Sequence, residues 1–215
     1  MNTAKIISIT QPILDGVETA EQFIAYTARV SNPSNQHNHE TLEKLLQYCL
    51  RNKHFSIFEM VNVVMQIDTT RDIARQILRH RSFSFQEFSQ RYADPTKDLG
   101  FVTREARLQD TKNRQNSIAV ESGKITNDWE SLQEKVIELA KFAYNSAITE
   151  GIAKEQARAV LPEGLTMSRL YMNGTLRSWI HYCDLRCANG TQKEHMDVAS
   201  SARDQLRQYF TFMRE

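Results

Sequence analysis

Cysteine, net charge and long apolar runs are all scarce in this sequence. Cys49, Cys183 and Cys187 are too few for a disulfide framework, so a reduced, intracellular protein is expected. Cys183 and Cys187 have helical i,i+4 spacing, but two ligands do not make a zinc site; small, partly buried residues and no metal are expected. The first residues lack the apolar segment of a secretory signal. No apolar run reaches membrane-spanning length, so a soluble cytoplasmic protein with no membrane partner is expected. The 27 basic and 26 acidic residues leave a formal net charge of only +1. No global field draws nucleic acid, and any anion site has to be local. There is no G-x-G-x-x-G, so a Rossmann cofactor domain is not supported. No repeat, low-complexity tract or composition shift marks a second domain. With 40% hydrophobic residues, the 215-residue chain reads as one domain with a real core.

What is present is concentrated between Thr69 and Tyr92. Thr69 and Asp72 have capping-box spacing and predict a helix start. Ile73 with Ile77, and Ala74 with Leu78, form an apolar stripe, while Asp72, Gln76 and Arg79 lie on another, polar side. The helix is expected to end near Arg81. The period then changes to two. Phe83, Phe85, Glu87, Ser89 and Arg91 alternate with Ser84, Gln86, Phe88, Gln90 and Tyr92, predicting an extended strand. In that conformation Glu87, Ser89 and Arg91 share one surface beside Arg79-His80-Arg81. Guanidinium forks suit phosphate, and Ser and Glu can select a hydroxyl or a ring N–H. Two readings stand at this point: a pocket for a small, planar, anionic ligand such as a nucleotide, or a solvated basic helix end before an ordinary edge strand.

The remaining chain alternates breakers with periodic segments. A first strand is read at Ala4–Ile9, a helix at Glu18–Val30, a breaker at Ser31–Asn35 and a helix at Glu40–Leu50. His37 and His39 sit in a polar loop and carry no metal argument. Met60–Ile67 reads as a strand, Phe101–Gln109 as extended and Asp110–Gly123 as a loop. Long amphipathic periodicity follows at Asn127–Thr149, then a shorter helix at Ile152–Leu161 stopped by Pro162 and Gly164. Leu165–Met172 reads as a strand. Thr175 is a candidate cap for a helix that places Arg177 with His181 on one face and Trp179 with Cys183 on another. A last helix uses Met196, Ala199, Ala202, Leu206 and Tyr209. The order of elements is α+β, a mixed or antiparallel sheet flanked by long helices.

Arg79-His80-Arg81, seven further residues and then Ser89 resemble the signature of the flavin-dependent thymidylate synthases. Gln76, Glu87 and Arg91 match its usual surroundings. So do His54 and Ser56 before Phe58-Glu59, Ala157-Arg158 with Leu161-Pro162, Arg177 with His181 and Leu185-Arg186, and Gln192 with Glu194. Three positions depart from the family pattern. Met60 stands where His is frequent, Gln90 where Gly is frequent and Thr175 where Asn is frequent.

The resemblance implies reductive methylation of deoxyuridine monophosphate to thymidylate. Methylenetetrahydrofolate is the carbon donor, FAD the cofactor and NADPH the reductant. It implies Arg186 as the catalytic residue, polarising the pyrimidine. It implies Gln76, Ile77, Leu78, Arg79, Glu87, Phe88, Ser89, Gln90, Arg91, Arg158 and Arg186 around the nucleotide. His54, Ser56, Arg79, His80, Arg81, Glu87, Thr175, Leu176, Arg177 and His181 would face the flavin. It further implies a homotetramer with shared active sites. Apart from the resemblance, the residues admit two other functions. One is a single-strand-binding module built on Arg71, Arg75, Arg79, Arg81 and Arg91 with Phe83, Phe85 and Tyr92 as stacking groups, which the near-zero charge counts against. The other is a helical scaffold that binds neither flavin nor nucleotide.

Overall fold

A computed structural model describes residues 2–214. Its centre is a four-stranded antiparallel sheet in the order β1-β2-β6-β3. The strands are β1 (Thr3–Ile9), β2 (Asn62–Thr70), β3 (Ser84–Glu87) and β6 (Met167–Thr175). A separate hairpin joins β4 (Arg107–Gln109) to β5 (Ser117–Ala119). The helices are α1 (Ala20–Ala28), α2 (Leu42–Arg51), α3 (Arg71–Ile77), α4 (Pro95–Asp98), α5 (Lys124–Thr149), α6 (Lys154–Ala157), α7 (Leu176–Arg186) and α8 (Lys193–Tyr209). The α+β reading holds, and the sheet is antiparallel throughout.

Period-two patterning aims one face of this sheet at the core. In β2, Val63, Met65, Ile67 and Thr69 are fully buried, as are Leu170 and Met172 of β6. The register runs without a bulge from Asn62 opposite Thr175 to Thr70 opposite Met167. Against this face lie Ile24 and Ala25 of α1, Leu46 of α2, Ile73 and Ile77 of α3, Trp179 of α7 and Val198, Ala202 and Leu206 of α8. The Trp179 indole N–H donates to the Val63 carbonyl at 3.0 Å, so this bulky core residue has its polar atom paired. Helix α8 also covers the β1 edge. Ala4 N–H donates to Ser201 Oγ at 3.0 Å, and Ile6 N–H donates to Gln205 Oε1 at 3.1 Å. These are N–H groups that an exposed edge would offer to another chain.

Several boundaries differ from the sequence reading. Thr69 and Thr70 belong to β2, and the helix begins at Arg71. Thr70 Oγ1 donates to Asp72 Oδ1 at 2.7 Å instead of accepting a capping bond, and Arg104 holds the same two oxygens. The helix ends at Ile77, short of Arg81. Strand β3 stops at Glu87. Phe88 N–H still reaches the Arg169 carbonyl at 2.8 Å, but Ser89–Tyr92 is a turn. The loop at Asp110–Gly123 contains β5, and the helix at Ile152–Leu161 is the single turn α6 followed by a 3₁₀ turn at Arg158–Val160.

Candidate active site

Arg186 and the Arg-His-Arg turn come together although 106 residues separate Arg186 from His80. Helix α3 follows β2 directly and α7 follows β6 directly, so the paired strands set both helices. Thr175 caps α7, its Oγ1 accepting from Ser178 N–H at 3.2 Å. At the far end of α7, Arg186 Nε–H donates to His80 Nε2 at 2.9 Å. His80 therefore accepts at Nε2 and is neutral. Its pKa is lowered to about 4 by burial first, then by Arg186 and His181. The His80 ring stands edge-on to Tyr182 with centroids 5.0 Å apart.

Beneath this turn lies a polar chain. Gln76 Nε2 donates to Gln192 Oε1 at 2.8 Å, and Gln76 Oε1 lies 3.2 Å from His195 Nδ1. His195 Nε2 is 3.1 Å from the Tyr182 hydroxyl. Both His195 and Tyr182 are fully buried. Burial, followed by the nearby Arg186 and His80, lowers the His195 pKa to about 3. The family-like Gln192 and Glu194 were visible in the sequence, whereas His195 and Tyr182 were missed. The available signal was their place on inward stripes, His195 with Ala199 and Tyr182 with Trp179.

One cleft opens at Ser82, just after the turn, and another lies beside Arg71 and Arg75 of α3. The larger, about 480 Å³, is lined by Phe55, Glu59, Ser82, Arg177, Ser178, His181 and Asp184. Arg177 and His181 thus share a face, and Arg177 pairs with Glu59. His54 and Ser56 are exposed on either side of Phe55, at the start of a 3₁₀ turn, Phe55–Met60. One guanidinium, one imidazole and two serine hydroxyls beside a phenyl ring suit a heteroaromatic ring carrying an anionic chain. Arg79 and Arg81 are exposed and line neither cleft, and Leu176 is buried in the core.

The smaller cleft, about 270 Å³, is lined by Arg71, Arg75, Gln90, Glu155, Arg158, Ala159, Leu161 and Glu163. Arg75 pairs with Glu163 at 2.6 Å, and exposed Arg91 pairs with Glu155 at 3.2 Å. Arg158 Nε donates to the Glu155 carbonyl at 3.3 Å, and among the described residues no carboxylate lies within ion-pair distance of it. It is the cation available to an incoming anion. Gln90 is buried, and its Nε2 has no partner among the described residues.

The expected single surface of Glu87, Ser89 and Arg91 is not formed, because the chain turns after Glu87. Glu87 Oε1 instead accepts from Ser168 Oγ at 2.9 Å and lies 3.7 Å from Arg71. Ser89 Oγ accepts from Arg91 N–H at 3.4 Å within the turn. Phe88 is partly buried, Leu78 is exposed and the Ile77 side chain is in the core, so Ile77 can meet a ligand only through its backbone. Cys49 and Cys183 are buried, and burial raises both thiol pKa values.

The fold and these clefts define a class of protein: an α+β chain built on an antiparallel sheet, with arginine side chains lining two of its clefts. A family model described as "Thymidylate synthase complementing protein" matches residues 13–210. A probable flavin-dependent thymidylate synthase of Paramecium bursaria Chlorella virus 1 is 50% identical over 202 residues, spanning 94% of this chain and 92% of its own. The flavin-dependent thymidylate synthase of a Synechocystis species is 49% identical over 210 residues, spanning 96% and 94%. A UMP/dUMP methylase, PolB from Streptomyces cacaoi, solved with 5-Br dUMP, shares the fold with a TM-score of 0.79 at 22% identity, over 99% of this chain and 93% of that one. The chain belongs to the flavin-dependent thymidylate synthase family and is an enzyme of thymidylate formation. Among the described residues no helix is long and apolar enough to cross a membrane.

Proposed function

We propose that this enzyme, acting as one catalytic domain, methylates deoxyuridine monophosphate at C5, with methylenetetrahydrofolate as carbon donor and NADPH as ultimate reductant. The observation that carries this reading is the Arg186–His80 contact, which sets a permanent cation against the neutral imidazole of the Arg-His-Arg turn. FAD, when bound, supplies the hydride that completes the methyl group. The donor set at Ser82, Arg177, Ser178 and His181 suits such a cofactor, with His54 and Ser56 at its rim.

Arg158 holds the nucleotide phosphate, with the backbone around Ser89 to Arg91 closing the other side. Gln76 takes the pyrimidine edge. The Arg186 guanidinium stabilises the negative charge that gathers on the pyrimidine carbonyl and N3 as the new bond forms at C5. It cannot be the base, because arginine does not give up its proton. Neutral His80 orients the guanidinium without competing for charge. The buried thiols take no part.

A homotetramer with shared sites completes the reading. Ile125, Trp129, Leu132, Val136 and Leu139 of α5 recur at spacings of four and three, and all are exposed. This heptad seam suits a helix of a second copy. It would also supply walls for clefts that are open in one chain.

The test is Arg186→Ala and Arg186→Lys in single-turnover oxidation of pre-reduced enzyme, with nucleotide and methylenetetrahydrofolate saturating. Methylation is expected to fall about a hundredfold or more while flavin affinity stays within about threefold, as for a group acting where charge develops. Unchanged methylation in a folded Arg186→Ala protein would sink the catalytic role.

A further inference from the structure

One carboxylate sets the direction of the whole polar chain beneath the turn. A carboxylate only accepts hydrogen bonds. Glu194 Oε2 accepts from Gln192 Nε2 at 2.9 Å, so the Gln192 carbonyl oxygen faces the other way. That oxygen accepts from Gln76 Nε2 at 2.8 Å, which in turn points Gln76 Oε1 at His195 Nδ1. His195 has to donate from Nδ1, and its bare Nε2 accepts a hydrogen bond from the Tyr182 hydroxyl. His195 is uncharged in its buried site, so it has a single N–H to give. Because His195 and Tyr182 are fully buried, a misdirected N–H or lone pair there would carry its full desolvation cost.

We propose that His195, together with Glu194 acting through Gln192, locks the Gln76 amide in one of its two orientations and so selects a 4-oxo pyrimidine over a 4-amino one. The inference rests on the reading that Gln76 holds the nucleotide. A carboxamide has two N–H donors and two acceptor lone pairs, and the chain uses one of each. One N–H and one lone pair remain, in fixed order. Uracil presents an N3–H beside a carbonyl oxygen. Cytosine presents a bare N3 beside an amino group, the reverse order. A freely turning glutamine matches either base by rotating half a turn. The locked one matches uracil alone, because reversal sets its amide N–H against the His195 N–H and its oxygen against the Gln192 oxygen. His195 is a positioning residue here; it touches Gln76, not the base.

The test is titration of the flavin-loaded enzyme with dUMP and with dCMP. His195→Leu and Glu194→Gln are each expected to lower the dUMP-over-dCMP preference roughly tenfold or more, chiefly by tightening dCMP, the scale of one bidentate base contact. Packing damage alone would weaken both nucleotides and leave the ratio standing. Glu194 is only half-buried on the first turn of α8, so Glu194→Gln decides the matter should His195→Leu fail to fold. A preference unchanged in the folded variants overturns the lock. Gln76→Ala separates the two claims. If it leaves dUMP affinity intact, the reading of Gln76 as a nucleotide ligand falls, and the lock with it. If it weakens dUMP while the other variants keep the ratio, the lock alone falls.

Discussion

Arg186 donates its Nε–H to Nε2 of His80 over 2.9 Å, which ties the end of α7 to the turn after α3. The contact requires an uncharged imidazole. Burial, Arg186 and His181 keep His80 in that state down to about pH 4, and His195 is held neutral down to about pH 3.

This has a consequence for acid stability. Both histidines have folded values below the unfolded value of about 6.5. The unfolded chain therefore takes up protons first as pH falls, and stability is lost from about pH 6.5 down to the folded values. Between about pH 7 and pH 5 the expected loss is about 2 kcal/mol for buried His195 and about 1 kcal/mol for His80, whose partial exposure screens the effect. Urea unfolding at both pH values checks this. His80→Gln, which stays neutral, is expected to flatten the slope, and an unchanged slope would mean that His80 is not the neutral acceptor.

Arg158→Ala is expected to raise the dUMP KM roughly ten- to hundredfold, the size of a lost charge-assisted hydrogen bond. Binding of deoxyuridine, which lacks the phosphate, should be unaffected. Equal losses for nucleotide and nucleoside would remove Arg158 from the phosphate site.

Gly174 lies in β6 under Phe83. A Cβ there would come within 2.6 Å of Phe83 Cε1. Gly174→Ala is expected to cost about 1–3 kcal/mol, as overpacking does. Phe83→Leu should recover part of it in a double-mutant cycle, since the penalty belongs to the pair. The Trp179 ring, whose centroid is 4.9 Å from that of Phe83, provides a fluorescence readout. A stable Gly174→Ala protein with unchanged emission would show that β6 yields at this point.

Leu132→Glu combined with Leu139→Glu on the exposed seam of α5 should lower the mass measured by light scattering and reduce activity with it. Wild-type mass at four chains, and the same mass in the variant, would place the subunit contact elsewhere.

Local chemistry was readable from the sequence where it had one cause. Thr175 caps α7 as expected, and the strands read at Met60–Ile67 and Leu165–Met172 fall on β2 and β6, each displaced by two to three residues at its ends. The strand through Arg91 was read wrongly because alternation continues through Ser89 to Tyr92 after pairing with β6 has stopped. The helix start at Thr69 failed for a tertiary reason: Thr69 and Thr70 pair with Ser168 and Met167, and Arg104 takes the Thr70 and Asp72 oxygens that would otherwise serve the cap. The chain from Tyr182 through His195 to Glu194 joins three helices. No periodicity shows that a buried histidine's partners lie on α3 and α7.

Both strand-to-helix junctions lack a connecting residue: Thr70 closes β2 and Arg71 opens α3, while Thr175 closes β6 and Leu176 opens α7. The pairing of β2 with β6 consequently acts as a ruler for the Arg186–His80 contact. A slip of two residues, the smallest that keeps inward side chains inward, would carry one helix about 7 Å along the other. That is more than twice the length of the Arg186–His80 bond. Insertions and deletions should therefore be tolerated around Asp110 to Gly123 and not from Met167 to Thr175, where a single added residue would turn the inward side chains of β6 outward and carry α7, with Arg186, away from His80.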